Sequence, residues 1–380
     1  MRGVSPAVPV ARALIVPSVS NHYFSALPIL LLAVVVTMAC VPLARWISFR
    51  VGAVAQPGGR HIHTRPTGRL GGLAIMVGFA VAMVTFGRQV QDWWQVVVIA
   101  LVVGCLLAAD DILGLAYWTK LVVQALCSLA VAWLFAINIH AVNLPGLAIP
   151  LAWASIPITI IWLMGMQNSI NLLDGVDGLA AGVVAIVGGV LYLAAVNRLG
   201  IEPSQGGVIL LSSALIGCCL GFLVFNFAPA RIFMGDSGSH VLGMLLGIIT
   251  ILGVAKVTVA LALFVPVVAL ALPIGDTAFA ILRRRRQGLG FAHADARHLH
   301  HRLLELGLSP RETSVTFYLT TAILGCVGLA VFGHRKILAV ALALLLVALG
   351  LLLWRIWHRG GFIFQRRAEA EPTRLDRPHV

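Results

Sequence analysis

Acidic residues are the groups in this chain best suited to chemistry, because they are scarce and unevenly placed. The segment NSINLLDGVDGLA at 168–180 carries Asp174 and Asp177 soon after the apolar run IPITIIWLMGM. With Asn168 and Asn171 they recur every third residue, so a helical backbone would bring four oxygen-bearing side chains to one slowly drifting face. The alternative is a helix cap, which needs only one such residue. The stretch therefore predicts a set of oxygen ligands.

Composition places these residues in a membrane protein. Of 380 residues, 60% are hydrophobic and 11% are charged, and the mean hydropathy is +0.98, outside the range of soluble globular chains. Apolar runs of about 18 residues cross a bilayer as helices, because lipid offers no partner for free backbone groups. We predict an all-α polytopic membrane protein with about eleven transmembrane helices. Their expected ranges are 27–48, 71–88, 94–109, 120–138, 150–167, 178–197, 206–225, 238–255, 257–281, 315–333 and 337–357.

Basic residues set the expected sidedness. With the N-terminus outside and the C-terminus cytoplasmic, most of the 27 Lys and Arg residues fall on the cytoplasmic side, as the positive-inside rule requires. The expected parts are an outer N-terminal segment at 1–26, a transmembrane domain with cytoplasmic loops at 27–357, and a disordered basic tail at 358–380. The basic residues are scattered over loops, which argues against a nucleic-acid partner. The six cysteines show no C-x-x-C spacing, so they predict neither disulfides nor a zinc site.

This topology gathers acids from four separate regions on the cytoplasmic side. Besides the pair at 174 and 177, they are Asp110, Asp111, Asp236 and Asp276. An ionised group near a bilayer core costs about 2.5–3.5 kcal/mol on insertion scales, so such groups usually mark function. Converging carboxylates repel one another unless a cation lies among them. Because the ligands offer only oxygen, the arrangement predicts Mg²⁺, with Mn²⁺ as a substitute.

Five motifs, in chain order, together resemble one enzyme family. They are the first loop GGRHIHTRPTGRLGG at 58–72, DDILGL at 110–115 with Lys120 and Gln124, NSIN with DGVDGLA at 168–180, NFAPARIFMGDSGS at 226–239, and HLHHRL at 298–303. This set resembles the polyprenyl-phosphate N-acetylhexosamine-1-phosphate transferases, glycosyltransferase family 4, of which the undecaprenyl-phosphate GlcNAc-1-phosphate transferases are members. The resemblance covers about residues 27 to 357.

The resemblance implies an activity and a location. Members of the family are multi-pass enzymes of the bacterial cytoplasmic membrane. They transfer a sugar-1-phosphate from a UDP-N-acetylhexosamine to undecaprenyl phosphate, releasing UMP, and they use Mg²⁺. We therefore expect those two substrates and membrane lipid as partners, with no nucleic acid, and a role in starting an O-antigen-type envelope polysaccharide. The oligomeric state is left open, with a homodimer among the possibilities.

The resemblance also suggests roles for particular residues. Asn171 and Asp236 match metal-binding positions, with Asp174 assisting. Groups expected to act in catalysis are Asp110, Asp111, Asp174, Asp177 and His300. Groups expected to bind substrate are Lys120, Asn226, His298, His301, Arg302, His63 and Arg69, the last two toward the lipid phosphate.

Several roles have alternatives. Asp110 or Asp111 accepts a proton from the lipid phosphate, or the pair holds the metal or Lys120. Lys120 binds pyrophosphate, or anchors its helix at the interface. The histidines at 298, 300 and 301 bind a phosphate or the uridine side; a zinc site is disfavoured because no cysteine is nearby.

Two other functions compete with this hypothesis. One is a phospho-MurNAc-pentapeptide transferase, although the H-x-H-H form is closer to the sugar-phosphate transferases. The other is a secondary transporter, which predicts ionisable groups at the membrane midplane and related halves. Here the acids are expected at one face, and no repeat is evident in the sequence.

Overall fold

A computed structural model describes residues 26–56, 66–144, 147–255, 309–330, 341–343, 345–352 and 354. The helices in the first four ranges are α1 (Leu27–Arg50), α2 (Gly71–Phe86), α3 (Trp93–Leu113), α4 (Tyr117–Leu129), α5 (Ser155–Leu173), α6 (Leu179–Arg198), α7 (Gln205–Asn226), α8 (Gly235–Ala255) and α9 (Pro310–Ala330). A π-helical turn, Ala130–Leu134, extends α4, and a 3-10 turn, Ala152–Ala154, precedes α5. Residues 341–343 and 345–352 are also helical.

The described residues confirm a mostly helical protein with membrane-spanning helices. By length and composition, seven are able to cross a bilayer: α1, α3, α4 with its extension, α5 with its 3-10 turn, α6, α7 and α8. Helix α2, with 16 residues, is apolar but shorter. The predicted helix at 257–281 lies outside the described residues, so the count of eleven and the orientation of the termini remain predictions.

Helix α8 forms the centre of the described bundle. It packs against α2, α3, α5, α6 and α7, and 89% of its apolar window is buried, against 28% for α1. The core includes Leu242, Leu245, Ile248 and Ile249 of α8, all fully buried. Because protein surrounds α8, groups at its N-terminus are held by neighbouring helices rather than by lipid.

Two short antiparallel hairpins accompany the helices. Strands β1 (Val54–Ala55) and β2 (Thr67–Gly68) pair between α1 and α2. Strands β3 (Ala141–Leu144) and β4 (Leu147–Pro150) pair at the opposite end of the bundle, between α4 and α5. The first hairpin continues toward the loop before α8, because Phe233 N donates to Gly68 O at 2.8 Å. That contact places the β1–β2 hairpin beside the N-terminus of α8.

Helix ends differ from the sequence prediction where they matter most. The fifth helix was predicted to stop at 167 but continues to Leu173, and Asp110 and Asp111 lie inside the last turn of α3 rather than after it. Asp236 lies in the first turn of α8 rather than before it. In each case the polar side chains form hydrogen bonds with neighbouring helices, so the helix extends further than the apolar run.

Candidate active site

The predicted acids meet where one end of the bundle gathers several helix termini. These are the C-termini of α3, α5 and α7 and the N-termini of α4, α6, α8 and α9. Helix α3 ends cleanly because Gly114 takes the left-handed conformation (φ 66°) that favours glycine. The following Leu115 N then donates to Asp110 Oδ1 at 2.7 Å, which fixes the first carboxylate of the site.

Lys120 connects three helices through its ammonium group. Its Nζ lies 2.6 Å from Asp110 Oδ2 and 2.5 Å from Asp236 Oδ2. The Asp110 side chain is 2% exposed, whereas those of Lys120 and Asp236 are 25% and 18% exposed. The pair of contacts therefore holds the lysine while leaving it reachable by a ligand.

Asp111 holds the N-terminus of α8. Its Oδ1 accepts from Asp236 N at 2.9 Å, and its Oδ2 accepts from Ser237 N at 3.1 Å and Ser237 Oγ at 2.8 Å. A carboxylate at this position satisfies free N–H groups and opposes the positive end of the helix dipole. Gly235, with φ 72°, is required here because a Cβ would press on Arg69 O and the Asp111 carboxylate.

Asn171 and Asp174 complete the cluster from α5. Asn171 Nδ2 donates to Asp236 Oδ1 and to Ser239 Oγ, both at 3.0 Å. Asp174 follows the last residue of α5, and its carboxylate has no hydrogen bond or ion pair with any described residue. Burial first, and then the charges of Asp236 and Asp111, raise the pKa of Asp174 well above its usual range, whereas Arg69 opposes the shift. Ionisation of Asp174 is therefore disfavoured unless a cation binds beside it.

Asp174, Asp236 and Asn171 are the described residues that could hold Mg²⁺. Mg²⁺ usually takes one or two carboxylates together with substrate phosphates and water, and Asp174 and Asp236 supply two carboxylates. Asn171 presents its NH₂ group to Asp236, so it would turn its amide to offer Oδ1. Within the described ranges no three His, Cys, Asp or Glu residues are arranged to hold a metal by themselves. The cluster is suited to a cation that substrate phosphate helps to hold.

Asp177, the second acid of the DGVDG segment, contacts the loop between α7 and α8. Asp177 Oδ2 accepts from Ala230 N at 2.8 Å. Asn226 is buried, its Oδ1 accepting from Gly178 N at 3.0 Å and its Nδ2 donating to Ile232 O at 2.9 Å. Both Asn226 groups are thus used to fix the chain that leads into α8. The predicted periodicity stops at Leu173, where α5 ends, so Asp177 leaves the face shared by Asn171 and Asp174.

The described part of the chain includes Arg69 but not all the predicted site residues. Arg69 N donates to Ala53 O at 2.9 Å, and its exposed side chain lies where it interacts electrostatically with Asp174. The remaining predictions lie outside the described residues: His63, Asp276, His298, His300, His301 and Arg302.

Three residues of α9 that the sequence did not predict support the site through hydrogen bonds to backbone carbonyls. Helix α9 supports the 174–178 turn: Ser314 Oγ donates to Asp177 O at 3.0 Å and Tyr318 Oη to Gly178 O at 2.5 Å. Arg311 Nε donates to Ala228 O at 2.7 Å. These contacts depend on how distant helices pack, and no spacing in the sequence signals them.

Comparison with known proteins identifies the family of this chain. Residues 93–254, which include α3 to α8, match the model of glycosyl transferase family 4. A protein of Bacillus subtilis (strain 168), named a probable undecaprenyl-phosphate N-acetylglucosaminyl 1-phosphate transferase, is 32% identical over 294 residues, covering 76% of this chain and 80% of its own. The decaprenyl-phosphate N-acetylglucosaminephosphotransferase of Mycolicibacterium smegmatis is 36% identical over 329 residues, 77% of this chain and 79% of its own. This chain belongs to glycosyl transferase family 4.

The family also contains a second kind of relative. A phospho-N-acetylmuramoyl-pentapeptide-transferase of a Synechococcus species is 34% identical over 310 residues, 76% of this chain and 85% of its own. Membership in glycosyl transferase family 4 confirms the resemblance seen in the motifs and favours an enzyme over a transporter. The chain is therefore a multi-pass membrane transferase of sugar phosphates to polyprenyl phosphate.

Proposed function

We propose that the protein transfers an N-acetylhexosamine-1-phosphate from a UDP-sugar to undecaprenyl phosphate at the cytoplasmic face of the bacterial inner membrane. The products are UMP and a lipid-linked sugar that starts an O-antigen-type envelope polysaccharide. The observation that carries the proposal is the meeting of Lys120, Asp236, Asn171 and Asp174 at one end of a bundle of membrane helices. A lipid phosphate and a water-soluble nucleotide both have access to such a place.

The bond changes are those of a phosphoryl transfer. An oxygen of the lipid phosphate forms a bond to the β-phosphorus of the UDP-sugar, and the bond from that phosphorus to the bridging oxygen breaks, so UMP leaves with the electron pair. Little covalent chemistry is required of the protein, because positioning and charge stabilisation supply most of the acceleration in such reactions.

The described residues suit those two tasks. Lys120, still 25% exposed, offers a cation to the pyrophosphate. Asp110, whose oxygens contact Leu115 N and Lys120, holds the lysine in place. Asp111 has both oxygens engaged at the N-terminus of α8, so it positions Asp236 and is poorly placed to act as a base. This leaves the lipid phosphate to react in the deprotonated form it already has near neutral pH.

Asp236, Asp174 and Asn171 would hold Mg²⁺, or Mn²⁺ in its place. When bound, the cation would neutralise charge that develops on the pyrophosphate oxygens. The carboxylates of Asp174 and Asp236 are suitable because their mutual repulsion falls when a cation lies between them.

Release of UMP tests the proposal directly. Purified protein in detergent or nanodiscs is mixed with Mg²⁺, undecaprenyl phosphate and a panel of UDP-sugars, including UDP-GlcNAc and UDP-MurNAc-pentapeptide. We expect UMP with at least one UDP-N-acetylhexosamine and none without the lipid phosphate. If no donor yields UMP, the proposed function is wrong.

The second candidate is a phospho-MurNAc-pentapeptide transferase, and the Synechococcus relative is the observation that favours it. The same panel separates the two functions. Greater turnover with UDP-MurNAc-pentapeptide than with every UDP-N-acetylhexosamine would support the second candidate and contradict the first.

A further inference from the structure

A second layer of polar contacts lies one helical turn beneath the cluster. The upper layer consists of Lys120, Asn171 and Asp236, one residue from each of α4, α5 and α8. The lower layer consists of Gln124, Asn168 and His240 from the same three helices. Gln124 and His240 follow their upper-layer neighbours by four residues, and Asn168 precedes its neighbour by three. Residues so spaced stack on one helix face, so the two layers share one axis.

The lower layer is a connected chain of hydrogen bonds. Asn168 Nδ2 donates to Gln124 Oε1 at 2.7 Å, Gln124 Nε2 lies 2.8 Å from His240 Nε2, and His240 Nδ1 lies 2.8 Å from Asp236 O. Because a carbonyl only accepts, His240 Nδ1 carries the hydrogen, and Nε2 then accepts from the Gln124 amide. Every donor in this chain therefore meets an acceptor.

Burial makes this chain costly to disturb. Gln124 and His240 are each 2% exposed. Asn168 Nδ2 also donates to Met164 O at 2.7 Å, which fixes the direction of its amide. Turning the Gln124 amide would place NH₂ against NH₂ at Asn168 and oxygen against a lone pair at His240. The directions of the hydrogen bonds are therefore fixed, and the network links α4, α5 and α8.

We propose that Gln124, Asn168 and His240 form a positioning brace that sets the rotation of three helices and so brings Lys120, Asn171 and Asp236 together. In the upper layer Lys120 contacts Asp236 and also Asp110, which lies beside the layer. A ligand would rearrange these contacts. The lower layer contains none of the groups assigned above to substrate or cation. It keeps the helices in register while the upper layer exchanges its internal contacts for contacts with phosphate and cation. The brace depends on the proposed function only in one respect, which is that turnover is measured as release of UMP.

A double-mutant comparison separates positioning from simple stability. Gln124→Leu and His240→Leu each leave a buried polar partner unsatisfied, so both should lower the midpoint of thermal unfolding. The Gln124→Leu/His240→Leu variant removes both partners and should regain much of that midpoint, because replacing both members by apolar groups is far less costly. Turnover should remain about 10- to 100-fold below wild type in the double variant, since a misplacement of about 1 Å has that effect.

The control is a separate contact between the same two helices, α4 and α5. Gln167 Nε2 donates to Ser128 Oγ at 3.3 Å between α5 and α4, and both residues are fully buried. This contact involves neither α8 nor the site. Gln167→Leu should keep kcat within about twofold of wild type, as expected for a contact that orders no reacting group. An equal loss of turnover in the control would overturn the proposal.

Hydrogen exchange provides a readout that needs no activity. In both single variants and in the double variant, amides at 117–124 and 235–240 should exchange faster than in wild type, whereas amides of α6 and α7 should not change. Unchanged exchange at both segments, or full recovery of kcat in the double variant, overturns the brace. If wild type releases no UMP with any donor, the proposed function fails, and exchange alone still decides the brace. Should His240→Leu not fold, His240→Met replaces it in the single and double variants, with the same expected result.

Discussion

Lys120 on α4 and Asp236 on α8 are separated by 116 residues in the chain, yet Nζ and Oδ2 lie 2.5 Å apart. Asp110 contacts the same ammonium group at 2.6 Å. One positive charge is therefore shared by two carboxylates, and Asp174 adds a further carboxyl group nearby. The carboxyl groups outnumber the cations at this end of the bundle, which favours binding of a further cation.

Removing the positive charge of Lys120 should lower both the turnover and the stability of the protein. In Lys120→Met, Asp110 and Asp236 would face each other without a counterion. We expect a loss of about 1–3 kcal/mol of stability, discounted because Lys120 is 25% exposed, and turnover at least about 100-fold lower. Unfolding in detergent and UMP release measure the two effects. Lys120→Met/Asp110→Asn should regain stability but not turnover; recovery of turnover would contradict a role for Lys120 at pyrophosphate.

Asp111 should matter for the folding of α8. Asp111→Asn replaces one acceptor oxygen by an NH₂ group that faces N–H donors of Asp236 or Ser237. The expected cost is about 1–3 kcal/mol, measured by unfolding titration. Ser237→Ala, which removes only the hydroxyl donor, should cost about 0.5–1.5 kcal/mol. An Asp111→Asn protein as stable as wild type would show that the carboxylate does not hold the helix.

Asp236→Asn should remove activity without loss of expression or membrane insertion. The amide keeps the shape of the side chain but loses the charge that a cation requires. UMP release and the yield of folded protein, checked by size-exclusion chromatography, are the measurements. Near-normal turnover would refute the proposed ligand role, and Asp177→Asn is the matched comparison because that carboxylate lies toward the 227–231 loop.

Cation binding should depend on pH through Asp174. Since the pKa of this carboxyl is raised, a proton competes with Mg²⁺, and the cation should bind more tightly as pH rises through that pKa. Without Mg²⁺, stability should fall over the interval between the unfolded pKa, about 3.9, and the raised pKa, because the unfolded state releases its proton first. Mg²⁺ should remove that loss. Thermal unfolding across pH tests this, and stabilisation by Mg²⁺ that is equal at every pH would contradict it. Asp174→Asn should abolish the dependence.

A glycine contact between α2 and α8 should be sensitive to one methyl group. A Cβ on Gly72 would overlap the backbone of Gly238 and the Ser237 hydroxyl, so Gly72→Ala should cost about 1–3 kcal/mol. The control is Gly165→Ala on α5, where a Cβ meets open space and helix propensity predicts a gain of about 0.5–1 kcal/mol. Unfolding in detergent compares the two. Equal stability of both variants would show that α2 moves freely against α8.

Apolar runs made the membrane-spanning helices predictable, whereas their ends were less so. The run before NSIN predicted α5 but ended it at 167, where the apolar residues stop. In the structure the amide of Asn168 bonds to Gln124 and that of Asn171 to Asp236, so the helix continues to Leu173. Sequence patterns report polarity, but not whether a polar group meets water or a neighbouring helix.

The sequence predicted that Asp110, Asp111, Asp174 and Asp236 gather at one end of the bundle, because all four fall on the same side of the expected topology. It did not predict which groups each carboxylate contacts. Whether Asp111 meets a substrate or the start of α8 depends on the rotation of α3 about its axis, which no spacing reveals. His240 presented the same difficulty, since a histidine inside an apolar helix has no partner until three helices are placed in space.

The enclosure of α8 determines how the surrounding lipid reaches Asp236. Acyl chains touch only the outer helices, so a thicker or thinner bilayer tilts those first, at a cost of fractions of a kcal/mol per Å of mismatch. The innermost helix responds only as far as its neighbours carry it. We therefore expect the position of Asp236 to depend less on fatty-acid length than the tilt of the outer helices does.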